Sequence, residues 1–178
     1  MSSMGTIMLG LPVNGRDHVQ GPPVAPITLV EYGDYECLRC GEAHSIVKEL
    51  QKRLGNQLRF VFRHFPIITL HPHAQNAAEA AEATGVQRRF WEMHDTLFAN
   101  QGALSHRHLE AYARRNGVDL KQFNREMVAH AHTVRVREHF LSGVRSGVDS
   151  TPAFFINDIR HDGPYELNSL SAAIIEAT

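Results

Sequence analysis

The chain has 178 residues, with 18 Lys and Arg against 19 Asp and Glu and a formal net charge of −1. Without a run of like charge, that balance excludes a nucleic-acid or membrane-surface role driven by bulk electrostatics. No apolar run approaches the roughly 18 residues that a transmembrane helix needs. The length suits one domain, or one domain with an insertion, whose core needs no disulfide staples.

Residues 1–21 read as a flexible lead-in, with glycine and proline at Gly10, Pro12, Gly15 and Gly21 and continuing to Pro22, Pro23 and Pro26. The apolar patch Ile7-Met8-Leu9 has no basic stretch before it and is shorter than a signal-peptide core of roughly 7–15 residues. A cytoplasmic location is therefore expected, and a periplasmic or secreted one if a leader has been removed. Ile27-Thr28-Leu29-Val30-Glu31-Tyr32 is β-branched and bounded by Pro26 and Gly33, the pattern of a buried strand. Glu31 at its end reads, from the residues alone, as a solvated strand-end charge.

The only two cysteines, Cys37 and Cys40, follow directly. Ala43, Ile46, Val47, Leu50 and Leu54 then recur at helical spacing, and Gly55-Asn56 ends the helix. Leu58–Arg63 is a second strand. Strand, helix and strand in about 35 residues make a βαβ unit with parallel strands. From Pro66 to about Gly147 the pattern is helical throughout. Ala74, Ala77, Ala78 and Ala81 line one face, and Phe90, Met93, His94, Leu97 and Phe98 another. Ser105 starts a third helix, Asp119 and Gln122 form a capping box for a fourth, and a fifth runs from about Ala131 to Ser146. Ala153–Ile156 and Ile159–His161 form a hairpin about Asn157-Asp158, and Leu167, Leu170 and Ile174 mark a last helix.

A CxxC pair has three readings: half a zinc site, a redox dithiol, or two unrelated thiols. Zinc would need further ligands such as His71 and His73, at a spacing unlike that of a finger. A CxxC that follows a strand and opens a helix inside a βαβ unit favours the dithiol, because a thiol there faces unpaired N–H groups and the positive end of the helix dipole.

Together, the strand Ile27–Glu31, the dithiol Cys37-Leu38-Arg39-Cys40, the helical insert and Thr151-Pro152 before the third strand resemble the DsbA-like thiol:disulfide oxidoreductases of the thioredoxin superfamily. The resemblance covers roughly residues 22–178. It implies an α/β thioredoxin-like fold, βαβ plus ββα, in residues 22–65 and 147–178, interrupted by an all-helical insert at 66–146. It further implies that Cys37 is the exposed nucleophile, that Cys40 is the buried resolving thiol, and that the sulfur pair is the only cofactor, with no metal. Thr151-Pro152 would be a cis bond beside the dithiol that pairs with an extended substrate. Glu31 would be a buried acid that exchanges a proton with Cys40. Family members often carry proline where this chain has Leu38, and Arg39 adds a charge that would favour the thiolate. Tyr35, with Tyr32, would border the substrate surface with Leu38 and Thr151.

The implied activity is disulfide exchange with protein or peptide thiols, served by a partner that recycles the dithiol, with no nucleic acid and no membrane involved. Two other functions are a zinc-dependent binding module using CxxC and histidines, and a glutathione-using transferase or isomerase on the same fold. The remaining histidines, including His44 and His64, read as packing or surface residues. Trp91 and its neighbours read as insert core.

Overall fold

The computed structural model describes residues 6–177. Its strands are β1 (His18–Gln20), β2 (Ile27–Gly33), β3 (Leu58–His64), β4 (Ala153–Ile156) and β5 (Ile159–His161). Its α-helices are α1 (Leu38–Leu54), α2 (Ala74–Gly85), α3 (Phe90–Phe98), α4 (His106–Arg115), α5 (Leu120–Val128), α6 (Thr133–Arg145) and α7 (Leu167–Glu176). The strands make one mixed sheet in the order β1-β3-β2-β4-β5. β2 and β3 are parallel and joined through α1, while β4 lies antiparallel on the other side of β2. This is the α/β arrangement expected, with α2 to α6 inserted between β3 and β4.

Strand periodicity sorts the side chains into two cores. Ile27 and Leu29 of β2, Phe60 and Phe62 of β3, and Phe154 and Ile156 of β4 meet Cys40, Ala43, Val47 and Leu50 of α1 and Leu170 and Ile174 of α7. Val30, Tyr32, Val61 and Phe155 point the other way, towards Leu9, Phe65, Val148 and Phe140. Glu31, two residues after Leu29, falls on the face of α1. On the opposite face α6 approaches closely because Gly143 has no side chain; a Cβ there would stand 2.7 Å from the Phe65 ring and 3.0 Å from Tyr32.

The lead-in differs from the expected flexible segment. Residues 1–5 lie outside the described residues, but β1 pairs antiparallel with β3, and Met8 bridges to Ile159 of β5. The physical cause is Arg63, fully buried at the end of β3, whose guanidinium takes the carbonyls of Leu11 and Pro12 and the carboxylate of Asp17. The alanine face of α2 is wider than its pattern suggested. Glu79 and Glu82 are buried too, Glu82 against His18 of β1 and His64 of β3. At α5, Asp119 caps the Gln122 amide at 2.8 Å, but the Gln122 side chain turns to Glu126, so the box is half formed.

Candidate active site

Cys37 is the N-cap of α1, with the amides of Cys40 and Gly41 directed at its carbonyl at 3.0 and 3.2 Å. Both thiols are free. Cys37 is 7 % exposed and Cys40 is 0 %, so the first cysteine barely reaches solvent, less than an exposed nucleophile implies. The two sulfurs titrate in opposite directions. A hydrogen bond from the Cys40 side chain outweighs burial and, helped by the Thr151 side chain and the Cys40 amide, lowers the Cys37 thiol to about 5. Burial, then the hydrogen bond to Cys37 and the charge of Glu31, pushes Cys40 well above the usual thiol range.

Thr151-Pro152 is a cis peptide bond leading into β4, and the Thr151 carbonyl lies 3.6 Å from Cys37 Sγ as acceptor for the thiol proton. Glu31 is 1 % exposed, and its Oε1 is buried without a hydrogen-bond partner. Burial, with the Cys37 charge added, raises it to about 8. It is therefore a protonated acid at neutral pH, not the solvated charge that the residues alone suggested. A carboxyl raised this way keeps its proton in the fold while the unfolded chain gives it up above about 4.5, so stability falls as pH rises from about 4.5 to about 8. Glu31→Gln is expected to remove that decline, worth on the order of a few kcal/mol at pH 8. Urea unfolding of the reduced chain at stepped pH, wild type against Glu31→Gln, measures it as the difference between the two curves. Parallel curves for both chains would contradict a buried, neutral Glu31.

The other expected site residues are less uniform. Leu38 is 74 % exposed, and Arg39 is exposed with its guanidinium 5.5 Å from the centroid of the Tyr165 ring. The groups that lower Cys37 most are Cys40 and Thr151, so Arg39 is not the main tuner. Tyr35 is a correction. It is 1 % exposed, packs against Phe62 and Phe98, and shares a hydrogen bond with His94 Nδ1 at 3.0 Å, so it is core and cannot touch a substrate. Tyr32 is equally enclosed, its hydroxyl 2.8 Å from Ser142 Oγ. His71 and His73 turn to carboxylates, 2.7 Å from Asp34 and 2.8 Å from Glu36, rather than to the thiols. Among the described residues, the side-chain clusters spaced for a cation contain no cysteine.

Two positioning residues went unread in the sequence. Gln101, on the loop after α3, donates to the carbonyls of Tyr35 and Cys37 at 3.0 and 2.7 Å. Asp34 is 2 % exposed and accepts from the amides of Glu36 and Ile67 and from His71. Nothing in the spacing of either residue distinguishes it from an ordinary loop polar group. A cavity of about 290 Å³ opens beside the dithiol between Arg39, Pro152, Phe154, Arg160 and Tyr165.

The thioredoxin family model matches residues 13–176, nearly the whole chain. The chain belongs to the thioredoxin family. Its fold is that of the DsbA-like branch. BdbD from Bacillus subtilis superposes with a TM-score of 0.87 at 21 % identity, covering 97 % of each chain. The thiol-disulfide exchange protein α-DsbA2 from Wolbachia pipientis gives 0.80 at 22 %, covering 93 % of this chain and 89 % of that one. A thioredoxin-like oxidoreductase from Silicibacter pomeroyi gives 0.81 at 29 %, covering 92 % and 93 %. In sequence, this thioredoxin-family chain is 48 % identical over 176 residues to a protein of Salinispora arenicola named Na(+)/H(+) antiporter NhaA 1, which covers 98 % of this chain and 27 % of the relative. A Mycobacterium protein of the same name is 42 % identical over 161 residues, covering 89 % of this chain and 26 % of the relative. The chain thus spans about a quarter of the length of these curated relatives. Among the described residues, no helix is long and apolar enough to cross a membrane.

Proposed function

We propose that this thioredoxin-family chain is a thiol:disulfide oxidoreductase that passes a Cys37–Cys40 disulfide to protein or peptide dithiols. The observation that carries the reading is the placing of the sulfurs, Cys37 at the N-cap of α1 with the Thr151 carbonyl 3.6 Å from its Sγ and Cys40 fully buried behind it, an asymmetry that lowers the Cys37 thiol to about 5 and pushes Cys40 up. In the oxidising direction a substrate thiolate attacks Cys37 Sγ and the Cys37–Cys40 bond breaks. Cys40 leaves and takes a proton from Glu31. A second substrate thiolate then attacks the substrate sulfur of the mixed disulfide and displaces Cys37 as thiolate. Two electrons have moved from substrate to dithiol, and a recycling partner removes them.

A stabilised thiolate favours the reduced dithiol, so the disulfide is oxidising. That direction fits a compartment outside the reducing cytosol better than the cytoplasmic location first expected. Leu38 and the cavity along Arg39 and Pro152 offer the surface on which an extended substrate would lie. Relatives named as antiporters support a membrane transporter among the partners. Equilibration of the full chain in glutathione buffers, with alkylation to trap each state, tests the proposal. Both thiols should disappear together in one two-electron transition, at a midpoint more oxidising than glutathione. A chain that stays dithiol across the whole range would end the reading.

A further inference from the structure

We propose that His44, His94 and Asp95 bind a divalent transition-metal ion, zinc by preference, on the flank of α1. His44 stands on α1, one turn beyond Cys40, and His94 and Asp95 stand on α3, which packs against it. One ligand atom from each residue lies within 4.8 Å of the other two. His44 Nε2 is 3.5 Å from Asp95 Oδ1. Two ligands held by zinc at about 2.0–2.2 Å in a tetrahedron stand about 3.3–3.6 Å apart, so this edge of the site is already at its bound length. The His44 and His94 rings cross at 65° with centroids 5.2 Å apart, an arrangement that lets one nitrogen of each face a common point.

His94 Nδ1 is engaged by the Tyr35 hydroxyl at 3.0 Å, which leaves Nε2 for a cation. An Nδ1–H donated to an oxygen is the outer contact that orients a metal-bound imidazole. His44 and Asp95 are half-buried, so water can complete the coordination. Two imidazoles and one carboxylate with an open position suit zinc, where magnesium and calcium prefer oxygen alone. The competitor is Lys48, whose Nζ is 2.9 Å from each Asp95 oxygen, though hydrogen-bonded only to Oδ2. Its side chain is 38 % exposed and can swing into solvent when a cation of higher charge arrives.

A second cluster of the same spacing, His64, Glu82 and His139, is enclosed. Its carboxylate already accepts from His18 and His64, and the guanidinium charges of Arg63 and Arg135 bear on it, so it is used within the fold. The outer site would tie the dithiol helix to the insert, with Tyr35 as the link to the loop that carries Cys37.

Calorimetric titration of the full chain with zinc chloride alone tests this, in the Cys37→Ser/Cys40→Ser background so that neither thiol takes the ion. One ion per chain is expected. Cobalt in its place should give d–d bands of a nitrogen and oxygen site. His44→Ala and Asp95→Asn should each weaken binding about tenfold or more. Lys48→Met should tighten it by about twofold to fivefold, the worth of an exposed ion pair. Less than half an ion per chain, or an affinity that neither His44→Ala nor Asp95→Asn moves, overturns the site. So does binding lost on Glu82→Gln, which would put the ion in the inner cluster. Because the titrated protein has no thiols, failure here leaves the exchange reaction untouched.

Discussion

Cys37→Ser should lower disulfide turnover by roughly three orders of magnitude or more, since no other sulfur can open the exchange. Cys40→Ser should behave differently: it has no disulfide to donate, but its Cys37 thiolate can still attack a substrate disulfide, and the mixed disulfide it forms lacks the internal thiol that would resolve it and appears as an adduct on non-reducing gels. The titration of Cys37 explains why the roles do not interchange. A thiol at about 5 is almost wholly ionised at neutral pH, where an ordinary one is about 1–3 % ionised. That gain of roughly two log units in thiolate is nearly cancelled as an attacking power, because nucleophilicity falls with a Brønsted coefficient of about 0.4–0.5 over about four units. What survives is its quality as a leaving group. Cys37 is therefore easily displaced from a mixed disulfide, which suits a donor of disulfides. Cys40, buried and held as a thiol, never competes for substrate. Equal turnover by wild type and both variants would contradict this division of labour.

The second large effect lies away from the thiols. Asp17→Ala and Arg63→Met should each destabilise the chain by about 3–5 kcal/mol, because each leaves an uncompensated charge in the interior. For a chain of this size that is a drop in Tm of about 6–20 °C. Arg63 is 0 % exposed, and its donors are fully used. Nε and Nη2 reach the Asp17 oxygens at 2.9 and 2.8 Å, Nη1 reaches the Leu11 carbonyl at 2.7 Å and the Tyr32 hydroxyl at 3.0 Å, and Nη2 reaches the Pro12 carbonyl at 3.2 Å. The double variant Arg63→Met/Asp17→Leu should lose less than the sum of the singles, since it removes both charges. Thermal unfolding of the reduced chain measures all three. A loss under about 1 kcal/mol for both singles would mean that water reaches the pair.

The frame was readable because its signals are local. β2, α1 and β3 follow from β-branched runs and helical spacing, and Cys37 and Cys40 fall where those patterns meet. The hairpin turned where Asn157-Asp158 said it would, and both residues have positive φ. What escaped depends on partners distant in sequence. β1 is three residues in a glycine- and proline-rich stretch, held by a strand some forty positions later. Arg63 looks like the polar end of a strand until the lead-in folds over it. Tyr35 sits beside the dithiol in sequence, but strand exit turns it inward onto Phe62, so neighbourhood in the chain misled. Burial of Glu31 could be inferred only from the family resemblance, since nothing local distinguishes it from a surface acid.

The Gln101 bonds carry one further lesson, about how such chains change over time. Gly41 lies directly beneath that amide, and a methyl at position 41 would collide with the Gln101 side chain. A side chain at 41 would push the tip of Gln101 aside and draw its amide away from the two carbonyls, so the two positions are coupled. Change at 41 is thereby expected to favour compensating change at 101, and the dithiol tetrapeptide, moved onto a bare sheet and helix, would lose the loop donor that holds its first carbonyl.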